Sequence, residues 1–270
     1  MIAIRTMTHE DVPLGMRLKE QAGWNQLPGD WHRFIDLEPT GCFVARFDDD
    51  DIGTVTTCTF DAVAWIAMML VDESMRGRGV GRALMQHALD YLDSRSIASV
   101  RLDATPLGEP LYAKLGFVPQ FEITRFIGKP IEGVRARLQH SFDDGLYALD
   151  RHATATERGK LLRRLIDDDP ETVRTIPGEG YLLSRPGAKA AQIGPCIAQP
   201  THGRTLLLDA MARFAGQLVL IDVPSDNAAA VDCVRDAGLK PVRTLMRMTR
   251  GTMIEENLDQ LWASSGPEKG

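Results

Sequence analysis

The stretch Val71-Asp-Glu-Ser-Met-Arg-Gly-Arg-Gly-Val-Gly-Arg-Ala-Leu84 limits the folds open to this chain more than any other part of it. An apolar run, Ala62 to Val71, ends where it begins, and an amphipathic pattern from Val80 to Leu92 follows it. The expected local structure is strand, glycine loop, helix start. Unpaired N–H groups at a helix N-terminus face outward, and the helix dipole favours an anion in front of them. Gly77, Gly79 and Gly81 allow close approach and positive φ. Arg76, Arg78 and Arg82 add positive charge. This loop is suited to hold a phosphate.

That local charge stands out because the 270-residue chain carries a net charge of −6. The balance gives no general electrostatic case for nucleic acid or an anionic membrane. The run from Ala62 to Val71 is far shorter than the roughly 20 residues a membrane helix needs. No signal-peptide pattern opens the sequence, and a cytoplasmic location is expected. Cys42, Cys58, Cys196 and Cys233 lie far apart, without Cys-x-x-Cys spacing or a His-rich neighbourhood. They read as buried apolar residues, with neither zinc nor disulfides. The acidic run Asp48 to Asp51 reads as a solvated turn, not a metal site.

Around the loop, alternation and turn signals predict a strand at Ile2–Met7 and a helix from His9 to Ala22, opened by a Thr8…Asp11 capping box. Pro28 and Gly29 break the next stretch, Asp30 caps a second helix to Leu37, and two strands form a hairpin over residues 41–60. A strand at Ala98–Asp103, a helix ending at Gly116 and a strand from Phe117 with an irregularity near Pro119 complete the first half.

This order resembles the GNAT superfamily of N-acetyltransferases. The resemblance rests on Arg76-x-x-Gly79-x-Gly81 at a helix start and Leu111-Tyr-Ala-Lys-Leu-Gly-Phe117 downstream, and covers roughly residues 2–128. It implies an acyl-CoA N-acyltransferase fold of the mixed α/β (α+β) class, a mostly antiparallel twisted sheet flanked by helices. It implies acetyl-CoA as co-substrate and no metal. The pyrophosphate is expected on Arg76, Gly77, Arg78, Gly79, Val80, Gly81 and Arg82, and the pantetheine arm along Met69, Leu70 and Val71, with Thr105 nearby. Tyr112 matches the tyrosine that protonates the leaving thiolate, and a backbone N–H near Leu70 is the expected oxyanion donor. Relatives often carry a glutamate on the strand before the loop; here Trp65–Val71 has no ionisable side chain. Asp103, His32 and Asp30 remain as candidate bases, or else a chain of waters. The amine pocket is expected between the first two helices and the sheet, which places Trp24, Asp30 and Trp31, with Asn25 and His32, near it.

Residues 130–139 read as a linker. Beyond them the strand and helix order returns: Leu218-Val-Leu-Ile-Asp222 answers Val100-Arg-Leu-Asp103, and Gly238-Leu239 answers Gly116-Phe117. Aligning those glycines puts Val234 opposite Tyr112, and the loop Gln199–Thr205 has one glycine. The expected organisation is a duplicated fold: a catalytic domain over residues 1–129, a degenerate copy over 136–254 and a tail over 255–270. In this second half a helix is expected at Thr156–Asp168 and a hairpin around Pro186-Gly187. The tail is expected to be helical to about Trp262 and mobile after it. Asp222 or Asn227 is expected to supply a wall of the substrate pocket. The implied function is acetyl transfer from acetyl-CoA to a small-molecule amine. The alternatives are an acyl-CoA-binding regulator without turnover and a protein or peptide amine acetyltransferase. The oligomeric state is left open.

Overall fold

The computed structural model describes residues 2–133 and 135–269. The first half runs β1 (Ile2–Thr6), α1 (Val12–Gln21), α2 (Pro28–Leu37), β2 (Cys42–Phe47), β3 (Asp50–Phe60), β4 (Val63–Val71), α3 (Val80–Ser94), β5 (Ser99–Ala104), α4 (Glu109–Lys114) and β6 (Val118–Gly128). The second runs α5 (Asp144–Thr154), α6 (Gly159–Asp168), β7 (Arg174–Ile176), β8 (Gly180–Arg185), β9 (Ala191–Ala198), α7 (Gly203–Arg213), β10 (Val219–Pro224), α8 (Ala228–Asp236), β11 (Lys240–Gly251) and β12 (Leu261–Ala263).

Most expected elements form where the pattern placed them. The Thr8 N–H donates to Asp11 at 2.8 Å, and one 3₁₀ turn at His9–Asp11 precedes α1. Asp30 lies inside α2, where its carboxylate accepts from the Leu27 N–H at 3.0 Å; Leu27 is the capping residue. The irregularity near Pro119 is a β6–β11 register shift. Three elements were not foreseen: α5, the short β7 and the short β12. The expected linker carries an isolated bridge between Gln139 and Thr175; Val134 lies outside the described residues.

Among the described residues, twelve strands join in one sheet, in the order β1-β2-β3-β4-β5-β11-β6-β10-β9-β8-β7, with β12 against β9. The order exchanges the last strands of the two halves. β11 of the second half lies antiparallel to β5 of the first, and β6 of the first lies antiparallel to β10 of the second. The two exchanged strands pair with each other along most of their length. Each half is therefore completed by the other.

The exchange gives the repeated aspartates a physical meaning. Asp103 on β5 sits opposite Arg247 on β11, and Asp222 on β10 sits opposite Arg125 on β6. Both pairs are bidentate: Arg247 donates to Asp103 at 2.8 and 3.0 Å, and Arg125 donates to Asp222 at 2.7 Å twice. All four side chains are buried. Two-point arginine–carboxylate pairs fix orientation as well as charge, so they set the register of each exchanged strand.

The expected mobile helical tail is instead an ordered part of the interior. β12 pairs antiparallel with β9, and Ser264, Ser265, Glu268 and Lys269 are all buried. No described helix is long and apolar enough to cross a membrane.

Candidate active site

Parallel pairing of β4 with β5 stops at Trp65↔Arg101, while β4 continues to Val71 and β5 to Ala104. The strands diverge there and leave a gap in the sheet. A bulge on β4 lies beside it: two steps on β3, from Thr54 to Thr56, are matched by three on β4, from Leu70 to Ala67. Met68 takes a positive φ of 48° in this bulge, and its carbonyl accepts from Thr54 Oγ1 at 2.9 Å. A bulge re-aims the backbone that follows it, here Met69, Leu70 and Val71.

The glycine loop lies at the mouth of the gap. Gly77 and Gly79 have φ of 77° and 84°, and no atom lies within 4 Å of where a Cβ would stand on either. Gly79 caps α3 in the left-handed region, which glycine alone enters without steric cost. Gly81 faces the Leu111 and Met69 side chains at ordinary contact distance. Val80 is buried and anchors the helix start. Gly53 on β3 brings that start close, since a Cβ there would meet the Leu70 carbonyl at 2.9 Å and the Leu84 side chain at 3.0 Å. Nothing in the local pattern of β3 singled Gly53 out. Arg76 pairs loosely with Glu73 at 3.4 Å, while Arg78 and Arg82 are exposed. Asp72 ties the loop to α1: it accepts from Ser74, from Arg17 and from Gln21, which together hold it well below the usual carboxylate range.

Tyr112 lies on α4, packed edge-on against Phe117 at 6.1 Å and against Gly108, where a Cβ would stand 2.8 Å from the ring. Burial pushes its phenol up to about 12. Thr105 holds the turn into α4, accepting from the Gly108 N–H at 3.3 Å.

Of the candidate bases, none is an uncommitted group. Asp103 is held by Arg247. His32 Nδ1 lies 2.7 Å from His9 Nδ1, and His9 in turn pairs with Asp36 at the surface. Asp30 pairs with Arg33 at 2.8 Å. Around the apex of the gap Arg247 also donates to Glu256, which accepts from Arg101 as well, and both guanidinium groups lie over the Trp65 ring at 4.7 and 5.6 Å. The carboxylates nearest the gap are thus neutralised by arginine.

The pocket expected beside α1 and α2 is only partly as read. Trp31 is fully buried against Gly15, where a Cβ would stand 2.7 Å from the ring; it packs α2 on α1. Trp24 is half-buried on the same core. Asn25 ties the halves together: its Oδ1 accepts from the Lys189 and Ala190 N–H groups at 2.8 and 3.1 Å, and its Nδ2 donates to the Ala190 carbonyl at 2.9 Å. Asn25→Ala should cost about 2 kcal/mol, since it strands these buried partners; a fall in the urea midpoint without a change in slope checks it. Asp30, by contrast, does line a cleft of about 460 Å³ between α2, α6 and β8, with Arg33, Arg164, Asp168, Leu183 and Arg185 around it. In the second half Arg185 and α6 line this cleft, and Asp222 and Asn227 are not among its lining residues. Asp222 is locked by Arg125 and Gln192, and Asn227 caps α8 and donates to the Leu258 and Leu261 carbonyls.

The second copy repeats the gap and fills it. β9 and β10 pair from Ala191↔Val219 to Ile193↔Ile221 and then diverge, with a matching bulge on β9. β12 lies along β9 in the space beyond. Trp262 packs on Gly203 at the start of α7, where a Cβ would stand 2.0 Å from the indole. This gap is closed by the chain itself. In the first, no strand among the described residues pairs with the far part of β4 on the side that faces β5.

Two family models, both described as Acetyltransferase (GNAT) domain, match residues 38–119 and 146–263. The chain is similar to holothin acyltransferase of Pseudoalteromonas sp. (strain SANK 73390), 23% identical over 260 residues that span 92% of this chain and 87% of the relative. Its fold matches a Pyrococcus horikoshii protein provisionally described as an acetyltransferase, with a TM-score of 0.88, 24% identity and coverage of 100% of this chain and 96% of the other. It also matches a tandem GNAT protein from the clavulanic acid biosynthesis pathway, with a TM-score of 0.63, 16% identity and coverage of 95% and 100%.

Proposed function

Since the chain belongs to the GNAT family of acetyltransferases, with one GNAT domain in each half, we propose that its first half transfers an acetyl group from acetyl-CoA to the amine of a small molecule. The observation that carries this reading is the contrast between the two gaps. The gap beside Gly77–Arg82 keeps its glycine loop and Tyr112, while the gap of the second half is packed with β12 and Trp262.

The residues fit acetyl-CoA. Gly77 and Gly79 leave open space in front of the N-terminus of α3, where backbone N–H groups suit a pyrophosphate. Arg78 and Arg82 add charge at the rim. The unpaired edge of Met69–Val71 suits an extended arm that pairs as a strand does. Acetyl-CoA supplies a thioester carbonyl open to attack. A backbone N–H near Leu70, just after the Met68 bulge, donates to the developing oxyanion in this reading. Tyr112, with a phenol held protonated through neutral pH by burial, can give its proton to the departing sulfur. With Asp103, Asp30 and His32 all committed to partners, the amine proton leaves through water. A small acceptor is supported by the cleft of about 460 Å³ that α6 and β8 of the second half form with α2.

Purified protein mixed with acetyl-CoA and a panel of amines should release thiol in a saturable way with one of them. Tyr112→Phe should lower kcat by roughly 100-fold, the lower end of a general-acid contribution, and leave the KM for acetyl-CoA within a few fold. Tight binding of acetyl-CoA with no thiol release from any amine would defeat the proposal in favour of a regulator. Transfer to peptides but to no small amine would defeat the acceptor class.

A further inference from the structure

Beyond β12 the chain crosses from the second half to the face of α2. Ser264 N–H donates to the Asp222 carbonyl at 2.8 Å, and Arg158 donates to Ser265 Oγ at 3.1 Å. From Pro267 on, the described ties are of another kind. Trp65 Nε1 donates to the Pro267 carbonyl at 3.3 Å, the Lys269 N–H donates to the Gly266 carbonyl at 3.0 Å, and the others run through the charged side chains of Glu268 and Lys269. Lys269 Nζ lies 3.2 Å from Asp30 and 2.5 Å from Glu268. Glu268 accepts from Arg185, and from Gln26 Nε2 at 3.2 Å. Arg185 also lies 3.5 Å from Asp30, beside the Asp30–Arg33 pair. All these groups are buried.

The arrangement has the form of a ligand site holding a piece of its own chain. Glu268 and Lys269 together are a neutral pair of opposite charges. What they touch, Asp30 on one side and Arg185 with Gln26 on the other, is complementary to an ammonium and a carboxylate. A plain amine in their place would leave Arg185 short of a carboxylate, and a plain acid would leave Asp30 short of a cation; buried charges left so are costly. The internal pair does not saturate the site: Gln26 Oε1 and Arg185 Nε are buried without a hydrogen-bond partner among the described residues. The cleft of about 460 Å³ reaches Asp30, Arg33 and Arg185 from outside. At its other end the segment touches Trp65, the last residue of β4 paired before the gap opens.

We infer that Asp30, Arg185 and Gln26 form a recognition site for the zwitterionic end of the acceptor, and that Glu268 and Lys269 are an internal occupant which the acceptor displaces. This rests on the proposed acetyl transfer and narrows its acceptor to a diamino acid. Burial alone would raise the Asp30 carboxyl, but Arg185, Lys269 and Arg33 pull it well below the usual carboxylate range. A nitrogen bound there stays protonated and cannot attack. The amine that reacts is therefore a second one, carried past Trp65 towards the gap.

Calorimetry on the full chain, with L-lysine and with its carboxylate-free analogue cadaverine, tests the site without turnover. L-lysine should bind, and the Glu268→Gln/Lys269→Met variant should bind it about tenfold more tightly, because the competing occupant is weakened. Adding Arg185→Met, or Gln26→Leu should the arginine variant fail to fold, should weaken L-lysine by about tenfold or more and leave cadaverine unchanged. Equal binding of the two compounds, no gain in the double variant, or no binding to any variant would overturn the inference. Thiol release separates it from the parent reading. Turnover of cadaverine as fast as of L-lysine would sink the zwitterion site and leave acetyl transfer standing. The predicted binding pattern with no thiol release from any amine would keep the site and remove the transfer.

Discussion

Arg247→Met is expected to lower the unfolding free energy by about 3–5 kcal/mol, the cost of removing one partner from a buried ion pair. The side chain is fully buried and serves two carboxylates: it donates to Asp103 through two nitrogens and to Glu256 through a third. Burial opposes its charge, but Asp103 and Glu256 more than compensate and hold it protonated. The loss would therefore strand buried negative charge on β5 and on the segment after β11. Because β11 is also the strand that completes the first half, the damage should reach the site: thiol release should fall even at temperatures where the variant stays folded. Equilibrium denaturation in urea measures the stability term. The double variant Asp103→Leu/Arg247→Met gives the sign of the argument. It removes the pair as a unit and should recover much of the lost stability, whereas a double variant as unstable as Arg247→Met would place the loss in packing against Trp65 and Phe121 instead.

Gly79→Asp is expected to weaken acetyl-CoA binding by roughly 100-fold or more, the scale of about 2.7 kcal/mol. Two effects act at one position. The residue is left-handed, with φ of 84°, and it caps α3. Aspartate is among the side chains that tolerate this conformation best, so the fold should survive at a cost of about 1 kcal/mol. Its carboxylate would then stand in the open space that no atom enters within 4 Å of the Cβ position, directly against a bound pyrophosphate. Gly79→Asn separates the effects, having the same shape and backbone tolerance without the charge. Binding by Gly79→Asn close to that of the parent, with Gly79→Asp far weaker, is the expected calorimetric result. Unchanged affinity in both would move the cofactor away from this loop.

How much of this was legible beforehand depended on how local each signal was. The loop from Arg76 to Arg82 could be read because a strand end, three glycines and an amphipathic helix lie side by side in the chain, and each acts through its own backbone. Tyr112 could be read because one helical turn and a glycine stop set its place. The repeat of Asp103 at Asp222 was visible as an echo, but its reason was not. The arginines that explain it stand more than a hundred residues from one partner and close to a hundred from the other, on the exchanged strands. Trp31 was drawn towards the pocket by its neighbours Asp30 and Trp24, and only packing against Gly15 shows that it faces the core. The segment after Trp262 is small, polar and charged, the composition of a loose end; its order comes from partners on α2 and β8 that no local pattern announces.

The sequence by itself determined the glycine loop that opens α3, the place of Tyr112, the family and the presence of two related halves, because these depend on short-range spacing and backbone freedom. Tertiary structure alone decided which strand completes which half, that β12 closes the second gap, and that Glu268 and Lys269 lie against Asp30 and Arg185. Those outcomes are set by strand register and by the pairing of buried charges across the whole fold, and both exist only once distant parts of the chain have met.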